Sequence, residues 1–140
     1  MALTRSSLSA DAKDALARDL PAAEHCRHAL RDGLAYFAGC EASGRRVVRT
    51  RRPSIARLMR TLAGERDHGV RRTVEPRLYR NTMFEIDADG DGALPPWPRA
   101  RCDRRMELRA AFLACGSLAA PQSGYHLEFV APTPQAAERI

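Results

Sequence analysis

The sequence predicts an α+β fold built from two copies of one unit, and three observations carry that expectation. In the stretch 101–118, Leu108, Ala111, Phe112 and Cys115 recur at three- and four-residue spacing, which sets them on one face of a helix. Gly116 follows as the stop, expected in the left-handed conformation that ends a helix without a Cβ clash. The same pattern stands 77 positions upstream, where His25-Cys26-Arg27-His28 precedes Leu30, Gly33, Leu34 and Phe37 and the run closes on Ala38-Gly39-Cys40. Gly39 matches Gly116, Arg27 matches Arg104, Gly33 matches Ala110 and Cys40 matches Ser117. Both copies then continue into a β-type run and a further helix: Val47-Val48-Arg49-Thr50 and 55–59 in the first, Leu127-Glu128-Phe129-Val130 and 136–140 in the second. Helices segregated from a mostly antiparallel sheet mark the α+β class.

Each element has a local reason. Ser9 is the expected N-cap of a first helix, with Asp11 and Asp14 in its first turn and Ala12, Leu16 and Leu20 on its inner face. Pro21 suits the first turn of the next helix, whose apolar face is Cys26, Leu30, Leu34 and Phe37. Ser43-Gly44 signals a turn and 46–50 a strand. Pro53 opens a third helix, with Ile55, Leu58, Met59 and Leu62 inward and Gly64 as its stop. Segments 70–74 and 78–86 read as strands around a turn at Glu75-Pro76. Segment 87–100 opens with three aspartates and two glycines, then adds Pro95, Pro96 and Pro98, and reads as a linker. Tyr125-His126-Leu127-Glu128-Phe129 alternates as a half-buried strand would, with His126 outward, and Thr133-Pro134 start a last helix. The chain therefore divides into an N-terminal helix (1–21), a first half (22–87), a linker (88–101) and a second half (102–140) without the two strands that complete the first. Gly33, Phe37, Ala110 and Ala114 are the expected pairing surface of the two central helices, because small residues one turn apart let helices approach closely.

Charge narrows the function. The net charge is +6, and between Arg45 and Arg80 twelve arginines face only Glu65, Asp67 and Glu75. Such a segment is either a surface for nucleic acid or another polyanion, or a solvated arginine-rich exterior. Lys13 is the only lysine, so part of the arginine excess has the look of nucleotide composition. No apolar run is long enough to span a membrane, and the first eight residues have no apolar core of a signal peptide. Cysteines at 26, 40, 102 and 115 have no C-x-x-C spacing and read as reduced residues of a cytosolic protein.

The candidate sites separate by chemistry. Asp87-Ala88-Asp89-Gly90-Asp91-Gly92 matches the opening of a calcium loop, but its twelfth position is Pro98 where a bidentate carboxylate is required, so it reads as an acidic turn. His25, Cys26 and His28, with Cys102 and Asp103 of the second copy, are soft ligand types, but the copies share no fixed ligand spacing and helix-start polar residues are expected. A two-copy nuclease would need carboxylates just before the terminal glycines, and Ala38 and Cys115 stand there. No catalytic residue, metal or cofactor is therefore expected. The arginines offer more: Arg45, Arg49 and Arg51 lie along one strand, and Arg71, Arg72 and Arg80 follow on the next strands, as phosphate contacts would.

Together these residues resemble the WhiA family of bacterial sporulation and cell-division regulators, whose N-terminal domain is a degenerate LAGLIDADG homing endonuclease. The likeness runs through 9–18, His25-Cys26-Arg27-His28, Phe37-Ala38-Gly39, Arg80-Asn81-Thr82-Met83-Phe84, 102–117 and Tyr125-His126-Leu127-Glu128-Phe129-Val130. It implies duplicated helix–strand–strand units, the second incomplete, on a DNA-related scaffold without cleavage chemistry. The family carries paired cysteines at the start of each motif, and His25 and Asp103 replace one of each pair. Its helix-turn-helix domain has no counterpart here, so the resemblance implies a shortened chain whose own binding to double-stranded DNA is weak, with self-association or another regulatory protein as the alternative partner. A cytoplasmic, nucleoid-associated protein is the expectation.

Overall fold

The computed structural model describes residues 7–64, 82–90, 92–94, 96–97, 100–120 and 124–140, together with the backbone of 70–74. In chain order the elements are α1 (Leu8–Arg18), α2 (Glu24–Phe37), β1 (Gly39–Ala42), β2 (Arg45–Thr50), α3 (Pro53–Ala63), β3 (Val70–Val74), β4 (Thr82–Asp87), α4 (Arg101–Cys115), β5 (Gly116–Ala119), β6 (His126–Phe129) and α5 (Pro134–Arg139). The class is α+β, with antiparallel sheets throughout. One sheet has the order β1-β2-β4-β3, and β5-β6 form a separate ribbon.

The duplication has a direct physical expression. Each central helix runs straight into a two-stranded hairpin and then a helix: α2, β1, β2, α3 in the first copy and α4, β5, β6, α5 in the second. The strands β1 and β5 are absent from the sequence reading, which has a single strand in each copy at this place. They are four residues each, too short to show a period, and they form because the partner strand supplies the ladder. In the first hairpin Ser43 (φ 52°) and Gly44 (φ 75°) form the two-residue turn between Ala42 and Arg45, a backbone that matches the strand twist.

The two glycine stops work differently from expectation. Gly116 has φ −87° and ψ 155°, ordinary extended backbone, and Gly39 is likewise outside the positive-φ set. Their small size is required for space. A Cβ on Gly116 would run into the Phe112 ring and lie 2.8 Å from the Phe112 Cα, and one on Gly39 would meet the Ala35 carbonyl. Each helix thus turns directly into a strand against its own last turn.

Other starts also shift. Ser7 caps α1, its Oγ accepting from the Ala10 amide at 3.1 Å, while Ser9 Oγ instead accepts from the Leu118 amide at 3.2 Å and ties α1 to β5. Pro21 lies outside α2, where its carbonyl accepts from Arg27 Nε at 2.6 Å. On α3 the expected inner residues Ile55, Leu58 and Met59 are buried, with Leu62 packed at the margin. Gly64 ends that helix at φ 78°.

The core lies between the helices and the inner face of the larger sheet. Leu30 and Leu34 of α2, Val48 of β2, Met59 of α3 and Ile86 of β4 are its largest fully buried side chains, with Val48 and Ile86 directly opposite on neighbouring strands. Burying each such side chain contributes about 1.5–3 kcal/mol. On α4 the inner face keeps the expected Ala111 and Phe112 but not Leu108. Leu108 is 49% exposed, and Glu107, Ala110, Ala111 and Leu113 are buried. The small residues Ala110 and Ala111 turn inward because α2 crosses there too closely for a leucine. On β6, Tyr125, Leu127 and Val130 beside or within the strand are exposed, so only Phe129 is partly covered.

Segment 87–100 begins docked on the sheet. The Ala88 amide donates to the Arg46 carbonyl at 2.9 Å, and Gly92 (φ 73°) passes over the Arg46 guanidinium where a Cβ would collide with it. Asp87 is already engaged by Arg45 at 3.3 Å. Among the described residues no helix is long and apolar enough to cross a membrane.

Candidate functional site

The glycine ends of α2 and α4 are where a homing-endonuclease scaffold would need carboxylates. Ala38 caps α2, its amide donating to the Leu34 carbonyl at 2.9 Å and its carbonyl accepting from the Arg49 amide at 3.2 Å. Cys115 ends α4 in the equivalent way, its carbonyl accepting from the Val130 amide at 2.9 Å and its Sγ donating to the Ala111 carbonyl at 3.2 Å. Burial pushes the Cys115 thiol above its ordinary pKa, and Lys13 pulls in the opposite direction. A methyl group and a protonated thiol give a divalent ion nothing to bind there.

What gathers beside this end is positive charge. A groove of about 460 Å³ is lined by Lys13, Arg49, Arg51 and Arg52, with Ala114, Leu113 and Met83 as its apolar wall, and no carboxylate lines it among the described residues. Lys13 reaches it from α1, its ammonium 5.6 Å from the centre of the Phe112 ring. Burial, and then the neighbouring Arg52 guanidinium, pulls the Lys13 pKa down, which marks a crowded cationic pocket. Arg52 is anchored on its other side by Asp14 at 3.3 Å. Lys13 and Arg52 are missing from the sequence reading of the site. Lys13 comes from α1, so no spacing joins it to Arg49 and Arg51, whereas Arg52 directly follows Arg51 at the start of α3.

On the larger sheet Arg45 and Arg49 are partly neutralised. Arg49 Nε donates to Glu85 at 3.0 Å and Arg45 Nη1 to Asp87 at 3.3 Å, both across the β2–β4 ladder. Arg51 follows β2 and is exposed. Arg71 and Arg72 occupy β3 at the register of Glu85 and Phe84. Arg80 lies outside the described residues.

Along the helix pair, Gly33 meets Ala110. A Cβ built on Gly33 would stand 2.6 Å from the Ala110 methyl. Phe37 is buried near Ala111 and Leu108, edge-on to Tyr36, whereas Ala114 lines the basic groove. At the opposite end of the pair, the donor atoms of His25, Cys26, Cys102 and Asp103 lie within 4.8 Å of one another. His28 is elsewhere, 3.8 Å from Glu24. Burial, with Cys102 and Asp103 alongside, pushes the Cys26 thiol up to about 11.

Comparison with known proteins agrees with this architecture. Residues 104–140 match the WhiA LAGLIDADG-like domain model. Over 74 residues the chain is 35% identical to the probable cell division protein WhiA of Desulfitobacterium hafniense (strain DSM 10664 / DCB-2), an alignment spanning 46% of this chain and 23% of that protein. The crystal structure of the N-terminal LAGLIDADG domain of DUF199/WhiA superposes with a TM-score of 0.75 at 18% identity, covering 99% of this chain and 74% of that one. Full-length DUF199/WhiA from Thermatoga maritima gives 0.74 at 18% identity, covering 96% of this chain and 48% of that one. The chain thus spans about half the length of the full-length protein. It has the fold of the WhiA N-terminal LAGLIDADG domain, and over its C-terminal quarter it is similar to the WhiA LAGLIDADG-like domain in sequence.

Proposed function

We propose that the chain acts as a DNA-associated, non-cleaving regulatory domain, in the control of cell division and sporulation at the nucleoid. The observation that supports this most is the cationic groove of Lys13, Arg49, Arg51 and Arg52 beside helix ends that carry Ala38 and Cys115 in place of carboxylates. A phosphate backbone would track from the groove onto the outer sheet face, displacing the carboxylate partners of Arg45 and Arg49, with Arg71, Arg72 and Arg80 as further contacts. Binding of this kind is sequence-tolerant, salt-sensitive and modest, because Glu85 and Asp87 already satisfy two of the guanidinium groups. Gel-shift titration on duplex DNA over a range of salt tests it. Affinity indifferent to salt, or unchanged in the double variant Arg49→Ala, Arg51→Ala, overturns the reading. Plasmid cleaved with magnesium, and protected by a chelator, would point to a nuclease instead.

A second reading, a protein-interaction module, is favoured by the β5–β6 ribbon. Tyr125, Leu127 and Val130 are exposed there, and β6 has no further strand partner among the described residues. Sedimentation over a concentration series separates the two: a monomer that binds DNA speaks against this version.

A further inference from the structure

We propose that His25, Cys26, Cys102 and Asp103 bind one zinc ion, which staples the first turns of α2 and α4 together. The two helices run side by side in the same direction and in register. Gly33 stands eight residues after His25, Ala110 eight residues after Cys102, and the two meet at the crossing. That register brings the starting turns together, so each helix contributes two consecutive side chains from equivalent positions. His25 corresponds to Cys102 and Cys26 to Asp103, so a pseudo-twofold axis runs through the cluster.

The donor set selects the metal. Two thiols, an imidazole and a carboxylate suit zinc, whereas magnesium and calcium take six or more oxygen ligands. Zinc–ligand distances of about 2.0–2.3 Å place neighbouring donors of a tetrahedron about 3.3–3.8 Å apart. Cys26 Sγ and His25 Nδ1 are 3.7 Å apart, His25 Nδ1 and Asp103 Oδ1 are 2.7 Å apart, and no pair exceeds 4.8 Å. Reaching that geometry takes shifts of about 1 Å or less in the spacing of the donor pairs. With both thiols deprotonated, the occupied site carries a net negative charge at two converging helix N-termini, where the helix dipoles stabilise it.

The helix starts themselves point the same way. Ser7 caps α1 and Thr133 caps α5, each by a side-chain hydrogen bond. The two central helices begin at Ala23 and Ala100 with no such cap, as does α3 at Arg52. The most extensive helix pair in the fold therefore lacks side-chain caps at its starts, and the soft ligands cluster there. Four protein ligands leave no open position, so the ion is structural. Helices of 14 and 15 residues put it about 20 Å from the cationic groove, so its test does not depend on DNA binding.

The experiment uses tag-free chain, purified under reducing conditions and stripped of metal, then titrated with cobalt(II) and afterwards with zinc against a chromophoric chelator. One equivalent of cobalt is expected to give intense tetrahedral d–d bands and a thiolate charge-transfer band, both lost on adding zinc. Zinc is expected to raise the melting temperature of the wild type. Cys102→Ser halves the charge-transfer intensity and Asp103→Asn weakens zinc binding, each with an unchanged far-ultraviolet circular dichroism spectrum, and Cys40→Ser changes nothing. Absence of the cobalt bands in reduced protein overturns the proposal, as does a Cys102→Ser chain that binds like the wild type. A Cys26–Cys102 disulfide as the stable state, with no metal uptake after reduction, overturns it as well.

Discussion

Gly33 and Ala110 stand at the point where α2 and α4 cross, and a methyl group on Gly33 would lie 2.6 Å from that of Ala110. Both groups are fixed to backbone, so neither can swing aside and the helix axes themselves would have to separate. Alanine at this position gains about 1 kcal/mol of helix propensity over glycine. Overpacking costs about 1–3 kcal/mol. Gly33→Ala is therefore expected to lose up to about 2 kcal/mol, and Gly33→Leu about 3 kcal/mol or more. Combining Gly33→Ala with Ala110→Gly relieves the contact. Urea unfolding in a double-mutant cycle checks the coupling, and additive losses would show that the helices do not meet here.

The pair Glu107–Arg139 joins α4 to α5. Arg139 contacts both carboxylate oxygens of Glu107, with Nη2 to Oε2 at 3.1 Å, while its guanidinium lies 4.4 Å from the centre of the Trp97 ring. Glu107 is buried, so Arg139→Ala strands a charge and is expected to cost about 3 kcal/mol. The double change Glu107→Met, Arg139→Met recovers most of that loss. Trp97 is the only tryptophan, so its emission reports directly on the loss of the stacked cation. An unchanged spectrum in Arg139→Ala would count against the arrangement.

Asp14 ties α1 to α3. The Ser54 hydroxyl donates to it at 2.6 Å, and Arg52 adds a contact at 3.3 Å. That hydrogen bond, set against desolvation and helped by the Arg52 contact, holds the Asp14 pKa below the ordinary aspartate value. A depressed folded-state pKa gives stability that is complete above the unfolded-state value, near 3.9, and is lost as pH falls through the folded one. Asp14→Asn is expected to be less stable at neutral pH by about 1 kcal/mol, discounted for partial exposure. The variant should converge with the wild type in strong acid. Melting temperatures from pH 2 to 7 make the comparison, and parallel curves would refute it.

Glu85 and Asp87 compete with phosphate for Arg49 and Arg45. Removing that competition in Glu85→Gln, Asp87→Asn should tighten duplex binding and steepen its salt dependence. Arg51→Ala should weaken binding evenly across sequences and reduce the salt slope by about one. Gel shifts at several salt concentrations decide it, and weaker binding after the carboxylates are neutralised would be the contrary result.

Some of the fold was legible residue by residue. Leu30, Leu34 and Phe37 are buried as their spacing predicts, Ser43-Gly44 makes its turn, and Pro134 follows a Thr133 cap. Leu108 was misread because helical period gives the apolar stripe of an isolated helix. Which part of that stripe turns inward depends on how close the neighbouring helix comes. The short β1 and β5 were invisible for the same kind of reason, since strands of four residues exist through their partners. At the groove, the arginine excess was plain, yet Lys13 and the carboxylates on Arg45 and Arg49 belong to other elements.

By itself the sequence determined the duplication, the α+β class, the Ser43-Gly44 turn, the Thr133 start of the last helix, and the lack of acidic residues before the two glycines, because all of these reside in contiguous residues and their backbone preferences. The tertiary structure alone decided that Lys13 joins Arg49, Arg51 and Arg52 around one groove, that Glu85 and Asp87 restrain two arginines, and that His25, Cys26, Cys102 and Asp103 converge. The physical reason is the close crossing of Gly33 and Ala110, which sets the two helices in register and carries the donor atoms of side chains 77 positions apart to within 4.8 Å of one another.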